Sequence, residues 1–290
     1  MIPALLKNDD FVTDVQTTQV GDGFAIWWLG QSGFLLKHPT GYVLLDPYLS
    51  ESLTVKYADS DKPHTRLTER VVDAEQLSFV DVVTSTHNHT DHLDADTLRP
   101  LLATNPNLKL VIPEANRDVA AERLACEHDA PVGLSDGEHV TLGDVTIHAV
   151  PAAHEVIDRD EQGRSRFLGY IVKFGRWSIY HSGDTVWFDG LEALLKPFNI
   201  DVALLPINGR TPERRVTGNL WGDEAADLAG QAGIKMVVPC HYHMFAFNTE
   251  TPDLFVHRCQ QIGQPYTVLR SGERLTSAAV ERASKALANR

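Results

Sequence analysis

The stretch Thr86-His87-Asn88-His89-Thr90-Asp91-His92 packs three imidazoles and a carboxylate into one short segment. His87 and His89 are two residues apart, so in extended chain they share a face and can grip one cation together. Asp91 and His92 follow and would point to a second position. A solvated loop has no reason to select three imidazoles, so the unit H-x-H-x-D-H is read as metal-binding chemistry.

Three further residues complete the set. His154 follows the apolar run "VTIHAVPAA", Asp184 follows "SIYHSG", and His241 follows "KMVVPC". Each stands at the end of an expected strand, where loops can be shaped for chemistry without disturbing a core. One divalent ion would take His87, His89 and His154, and the other Asp91, His92 and His241. Asp184 has two oxygens and can bridge them, since paired hydrolytic ions lie about 3.5–4 Å apart. Nitrogen and carboxylate donors suit manganese or zinc, and iron is compatible. With three or four protein ligands per ion, a position stays open for water, as a catalytic site requires. The expected chemistry is hydrolysis by a metal-bridging hydroxide, with Asp91 orienting the water. His243 or His181 would protonate the leaving group, although His181 reads more simply as a buried structural residue. His38, His64, His128, His139, His148 and His257 are likewise assigned no chemistry, and Cys240 is expected to turn into the core.

The elements that must position these residues follow from periodicity and punctuation. "FAIWWL", "GFLLK" and "YVLLDP" are short apolar runs separated by turn sequences, and "VDVVTST" runs directly into the histidine cluster. Helices are expected over "DADTLRPLLATN", capped by Asp94 or Asp96, and over "ANRDVAAERLA", "GLEALLKP" and "DEAADLAGQAG". A last internal helix begins at Thr251-Pro252-Asp253, with Thr251 as its cap. The C-terminal "SAAVERASKALANR" is helical or frayed. The polar segment from Ser50 to Thr68 is a candidate lid or subunit contact. Hairpins first, then strand–helix alternation, predict an α/β (α+β) architecture of two mixed sheets packed face to face with helices outside. One domain, 1-290, holds it, with the metal-binding core at about 24-270.

Composition limits the partners. The 290 residues carry 39 acidic against 26 basic side chains, a formal net charge of −13. Such a chain is a poor general binder of nucleic acid or of an anionic membrane. A small anionic substrate needs only a local cationic cluster. Arg210, Arg214 and Arg215 follow the expected strand tip at Asn208, and these four are the candidate substrate contacts, since arginine forks phosphate bidentately. Three dispersed cysteines fit no disulfide framework. No basic leader precedes a long apolar run, and no stretch approaches a membrane span. A cytoplasmic protein is expected, one that can form homo-oligomers.

The ordered set "THNHTDH", His154, "SGDT" with Asp184, and His241 resembles the metallo-β-lactamase superfamily. That resemblance implies a four-layer αββα sandwich and a two-metal hydrolase. The segments "WLGQSGFLLK", "LDPYLS", "LPINGR", "GNLWGDEAADLAGQAG" and "PCHYHMFAFNTETP" are similar to the L-ascorbate-6-phosphate lactonase (UlaG-like) branch. They imply a manganese-favouring lactonase that opens the ring of a phosphorylated sugar acid. His243 stands where that branch would carry an acidic residue. A phosphodiesterase or ribonuclease on the same metals is the alternative within the fold, and a non-catalytic metal-binding scaffold or sensor is the alternative outside enzymes.

Overall fold

The computed structural model describes residues 1–288. Seven strands form the first sheet: β1 (Ala25–Gly30), β2 (Gly33–His38), β3 (Gly41–Leu45), β4 (Val82–Thr84), β5 (Lys109–Pro113), β6 (Val132–Leu134) and, from the far end of the chain, β13 (Arg274–Thr276). Their spatial order is β13-β1-β2-β3-β4-β5-β6. The second sheet holds β7 (His139–Leu142), β8 (Val145–Pro151), β9 (Leu168–Phe174), β10 (Trp177–His181), β11 (Val202–Pro206) and β12 (Met236–Cys240), in the order β12-β11-β10-β9-β8-β7. Both sheets are mixed. The pairs β3–β4, β4–β5 and β5–β6 run parallel, as do β10–β11 and β11–β12, while the hairpins are antiparallel.

The strand sequences explain the layering. Ile26, Trp28, Phe34, Leu36, Val43, Leu45, Val82 and Val111 face the inter-sheet core. Their alternating neighbours Ala25, Trp27, Leu29, Leu35, Leu44, Val83, Leu110 and Ile112 face a second core under the helices α1 (Asn8–Thr17), α3 (Ala95–Thr104) and α4 (Arg117–Leu124). A strand buried on both faces must be apolar at every position, which is why these runs show no polar alternation. The helices α5 (Leu191–Leu195), α6 (Gly222–Ala232), α7 (Asp253–Ile262) and α8 (Ser277–Ala288) cover the other sheet. The result is the metallo-β-lactamase sandwich, with helices on both outer faces.

Several elements differ from expectation at their ends. β4, β8 and β10 end before their apolar runs do, so His87, His154 and Asp184 lie in loops just past the ladders, whereas His241 directly follows β12. α3 starts after Asp94, as its sequence predicts. α7 instead begins at Asp253 with Pro252 at the cap, and the Thr251 hydroxyl bonds the Asp253 carboxylate. The N-terminal helix α1 was not expected; Phe11 and Val15 anchor it to the sheet. The C-terminal segment is helical through Ala288, and the remainder lies outside the described residues. The Ser50–Thr68 segment contains the short helix α2 (Ser52–Lys56) and folds against the loop after β12, where Leu67 N–H meets the Met244 carbonyl at 2.8 Å. No helix among the described residues is long and apolar enough to cross a membrane.

Candidate active site

All the loops that leave β3, β4, β8, β10 and β12 at their C-terminal ends converge on one edge of the sandwich. The loop after β4 delivers His87, His89, Asp91 and His92, the loop after β8 delivers His154, and those after β10 and β12 deliver Asp184 and His241. Backbone strain marks this edge: Asp46 and His241 have φ of 40° and 58°, in the left-handed region that non-glycine residues avoid. The "SGD" turn after β10 needs its glycine. Gly183 has φ +59°, and a Cβ there would lie 2.6 Å from Thr86 side-chain atoms.

Asp184 sits at the centre. Its Oδ1 lies 3.3 Å from His92 Nε2, and its Oδ2 lies 3.2 Å from His241 Nε2 and 3.9 Å from His154 Nε2. Asp91 Oδ2 is 3.6 Å from His241 Nε2 and 3.8 Å from His92 Nε2. Among the described residues, three groups have every donor atom within 4.8 Å of the others: His87 with His89 and Asp184, Asp91 with His92 and His241, and Asp46 with His87 and His92. His154 borders the first, its ring centroid 5.2 Å from that of His89. The seven residues singled out from the sequence lie around one centre, with Asp184 rather than His154 grouped with His87 and His89.

A metal fits this donor set. His87 Nε2, His92 Nε2, His154 Nδ1 and Asp184 Oδ1 are buried without a hydrogen-bond partner. An orphaned buried polar atom costs about 1–3 kcal/mol, and such atoms seldom cluster unless something satisfies them. Electrostatics within the cluster divides the histidines. Burial first, then neighbouring imidazoles, hold His87 well below its ordinary pKa; burial lowers His89 and His154. Burial also opposes charge on His241, but Asp184 and Asp91 outweigh it and raise this imidazole to about 9. His92 goes well above its ordinary value for the same reason. Asp184, despite burial, is held well below the carboxylate range by His241 and His92.

Two residues outside the original set orient the donors. Asp46, at the end of β3, is fully buried and accepts from His92 Nδ1 at 2.7 Å, from the Thr86 hydroxyl and from Thr84 Oγ1 at 3.0 Å. This fixes the His92 tautomer so that Nε2 turns to the centre, the usual arrangement behind a metal-binding histidine. Gln31, in the β1–β2 turn, donates Nε2–H to Asp91 Oδ2 at 2.8 Å, and its carbonyl accepts from His241 N–H at 2.9 Å. Asp46 ends an apolar run, as the other site residues do, so the strand-end rule could have found it. Nothing in the turn sequence singles out Gln31.

The centre opens into a cleft of about 410 Å³, the scale of a small-molecule site. Its walls are Leu53, Lys56, Tyr57 and His64 from the Ser50–Thr68 segment, Arg123 from α4, Val216 and Thr217, and Phe245, Phe247 and Asn248. The expected substrate arginines do not line it. Arg210 forks Glu224 with two bonds of 2.7 Å; Arg214 is tied to Glu250 and to the Asn208 and Thr249 carbonyls; Arg215 pairs with Asp61 at 2.6 Å. Asn208 is wholly buried, its amide bonding Asn248 at 3.1 Å and its oxygen accepting from Asn219 at 3.0 Å. His243 is also displaced from its expected role. Its ring packs against Tyr242, with centroids 4.9 Å apart, and does not line the cleft. His181 is buried, with Nε2 on the Ser32 carbonyl at 2.8 Å, and Cys240 lies in the inter-sheet core.

This fold and this cradle of histidines and aspartates define a class, and the comparison with known families agrees. The chain belongs to the beta-lactamase superfamily: the Beta-lactamase superfamily domain matches residues 42–242, more than half of its length. Among its relatives, a UPF0173 metal-dependent hydrolase of Rubrobacter xylanophilus is 28% identical over 265 residues, covering 88% of this chain and 97% of the relative. A protein of the same description from Opitutus terrae is 28% identical over 253 residues, 85% of this chain and 96% of its own. A possible metal-dependent hydrolase from Veillonella parvula shares the fold with a TM-score of 0.69 at 16% identity, over 89% of this chain and 99% of the other.

Proposed function

We propose that the protein is a metal-dependent hydrolase whose substrates are small lactones. The observation that carries the hydrolytic reading is the set of orphaned donor atoms around Asp184. His87, His89 and His154 would hold one divalent ion, Asp91, His92 and His241 a second, and Asp184 would touch both. Bound there, such ions supply Lewis acidity and bring the pKa of water toward neutrality. The net balance is simple: water oxygen bonds to the carbonyl carbon, the ring C–O bond breaks, and the proton goes to the leaving alkoxide. Asp91, whose carboxylate Gln31 holds and which lines the cleft, can carry that proton. Asp46 and Gln31 keep the donors in register while this occurs.

The lactone preference rests on the resemblance of the "LPINGR" and "PCHYHMFAFNTETP" segments to lactonases. The small cleft and acidic surface favour it over a polynucleotide substrate. The test is metal analysis of the purified protein together with turnover of a lactone panel against bis-p-nitrophenyl phosphate. Lactone hydrolysis that tracks metal content is expected. Faster hydrolysis of the phosphodiester would replace the lactonase by a phosphodiesterase, and full activity in metal-stripped protein would end both.

A further inference from the structure

Arg123 is unlike the other arginines around the site. It is half-buried in the cleft wall, and among the described residues no carboxylate lies within ion-pairing distance of it. Its hydrogen bonds both leave from Nη1, to the Asn88 carbonyl and, at 3.2 Å, to the Leu93 carbonyl. These bonds clamp the guanidinium to the loop that carries His89, Asp91 and His92. The opposite edge, Nε–H with Nη2–H, has the geometry that forks an oxyanion. Burial alone pulls the Arg123 pKa down, opposed weakly by Asp94, so this cation is partly desolvated and uncompensated. Lys56 contributes a second cation to the same cleft, its ammonium 5.2 Å from the Tyr57 ring centroid.

The same cleft has an aromatic wall. Tyr57 stacks on His64 with centroids 4.2 Å apart, and His64 meets Phe247 at 4.5 Å and Phe245 at 5.1 Å, both edge-on. A hydroxylated sugar ring offers such a wall only its C–H edges. A flat, apolar body would cover it.

We propose that the substrate is an anionic lactone with a planar apolar body, its carboxylate or phosphate held by Arg123 with help from Lys56 and its ring laid against Tyr57, His64 and Phe247. This deepens the lactonase reading and rests on it. It also moves anion recognition from the segment after β11 to α4, on the other side of the cleft.

The test compares 3,4-dihydrocoumarin with its ring carboxylate and its ring phosphate ester, on metal-loaded wild type and on Arg123→Gln and Arg123→Lys at verified equal metal content. Wild type should prefer an anionic member in kcat/KM, and the arm that wins identifies carboxylate or phosphate. Arg123→Gln should lose roughly tenfold or more on that member beyond any loss on the neutral lactone, mostly in KM, the scale of a charge-assisted bond pair. Arg123→Lys should recover part of it. Equal losses on charged and neutral lactones would reduce Arg123 to a loop clamp, and absence of any anionic preference in wild type would also overturn the proposal. If none of the three lactones is turned over, the lactonase reading fails separately. Binding of benzoate and phenyl phosphate to the metal-loaded protein then decides the anion site: roughly tenfold weaker binding to Arg123→Gln supports it, and equal binding refutes it.

Discussion

Around Asp184, buried imidazole and carboxylate atoms face one another with several hydrogen-bonding positions unfilled, whereas in the Arg210–Arg215 segment each arginine closes on an acid of its own. Both regions are rich in charge, both follow a strand end, and from the sequence both suggest ligand binding. The fold separates them by satisfaction. A charged group whose partners are internal stabilises local structure and has little left to offer a ligand. A buried group without a partner stores a desolvation cost that a ligand can recover. By the same measure Arg123, with one free edge, belongs with the metal donors.

The largest effect should come from the centre. Asp184→Ala removes the carboxylate that faces His92, His241 and His154 at once. Metal content should collapse and hydrolysis fall by at least about 10³-fold. Retention of full metal by this variant, measured by elemental analysis, would break the division between the two regions at its strongest point. One step out, Asp46→Asn keeps the shape but turns the full acceptor of His92 Nδ1 into an amide. Metal affinity should weaken about 10–100-fold, as when such an orienting carboxylate is lost. A competition titration showing unchanged affinity would confine Asp46 to structural support of Thr84 and Thr86.

The metal-free protein offers a test by pH. With His241 raised to about 9, it is protonated at pH 7, and coordination must expel that proton. Metal affinity should therefore fall as pH drops from 9 to 7, by up to about tenfold per unit for each proton released. Stability of the metal-free protein should move oppositely. A folded-state pKa above the ordinary 6.5 gives stabilisation that is complete below about 6.5 and is lost as pH rises through about 9. Melting temperatures that rise with pH across this window would contradict the charge pairing of His241 with Asp184 and Asp91.

How much of this was legible in the sequence depends on the range of the interaction. The layers and strands follow from apolar runs that are buried on both faces, and the donors followed from residue type and position at strand ends. His154 could be placed by position alone and still arrives at the centre. Asn208 and the Arg210–Arg215 cluster were misread because their partners, Asn219, Glu224, Glu250, Asn248 and Asp61, lie at distances along the chain that no local pattern reveals. His243 was misread because its ring packs against Tyr242 instead of lining the cleft. Arg123 and His64 were passed over for the complementary reason. Nothing in a helical register or a polar loop announces that a side chain ends in a cleft built by other segments.

The smallest expected effect sharpens the contrast from its inert side. Arg210 bonds both oxygens of Glu224, and Glu224 also accepts from Trp221 N–H at 2.9 Å, which closes the first turn of α6. Removing the arginine by Arg210→Ala leaves that cap in place, and the ion pair is more than a third exposed on the arginine side. Solvent screens such a pair, so its loss should cost no more than about 1 kcal/mol and lower the melting temperature by about 2–4 °C. The ratio of kcat/KM for anionic and neutral lactones should stay at its wild-type value, because the guanidinium turns toward α6 and away from the cleft. A selective loss on the anionic substrate would instead place Arg210 in the binding site. It would mean that the Glu224 pair opens in use, and satisfaction within the fold would no longer separate the two regions.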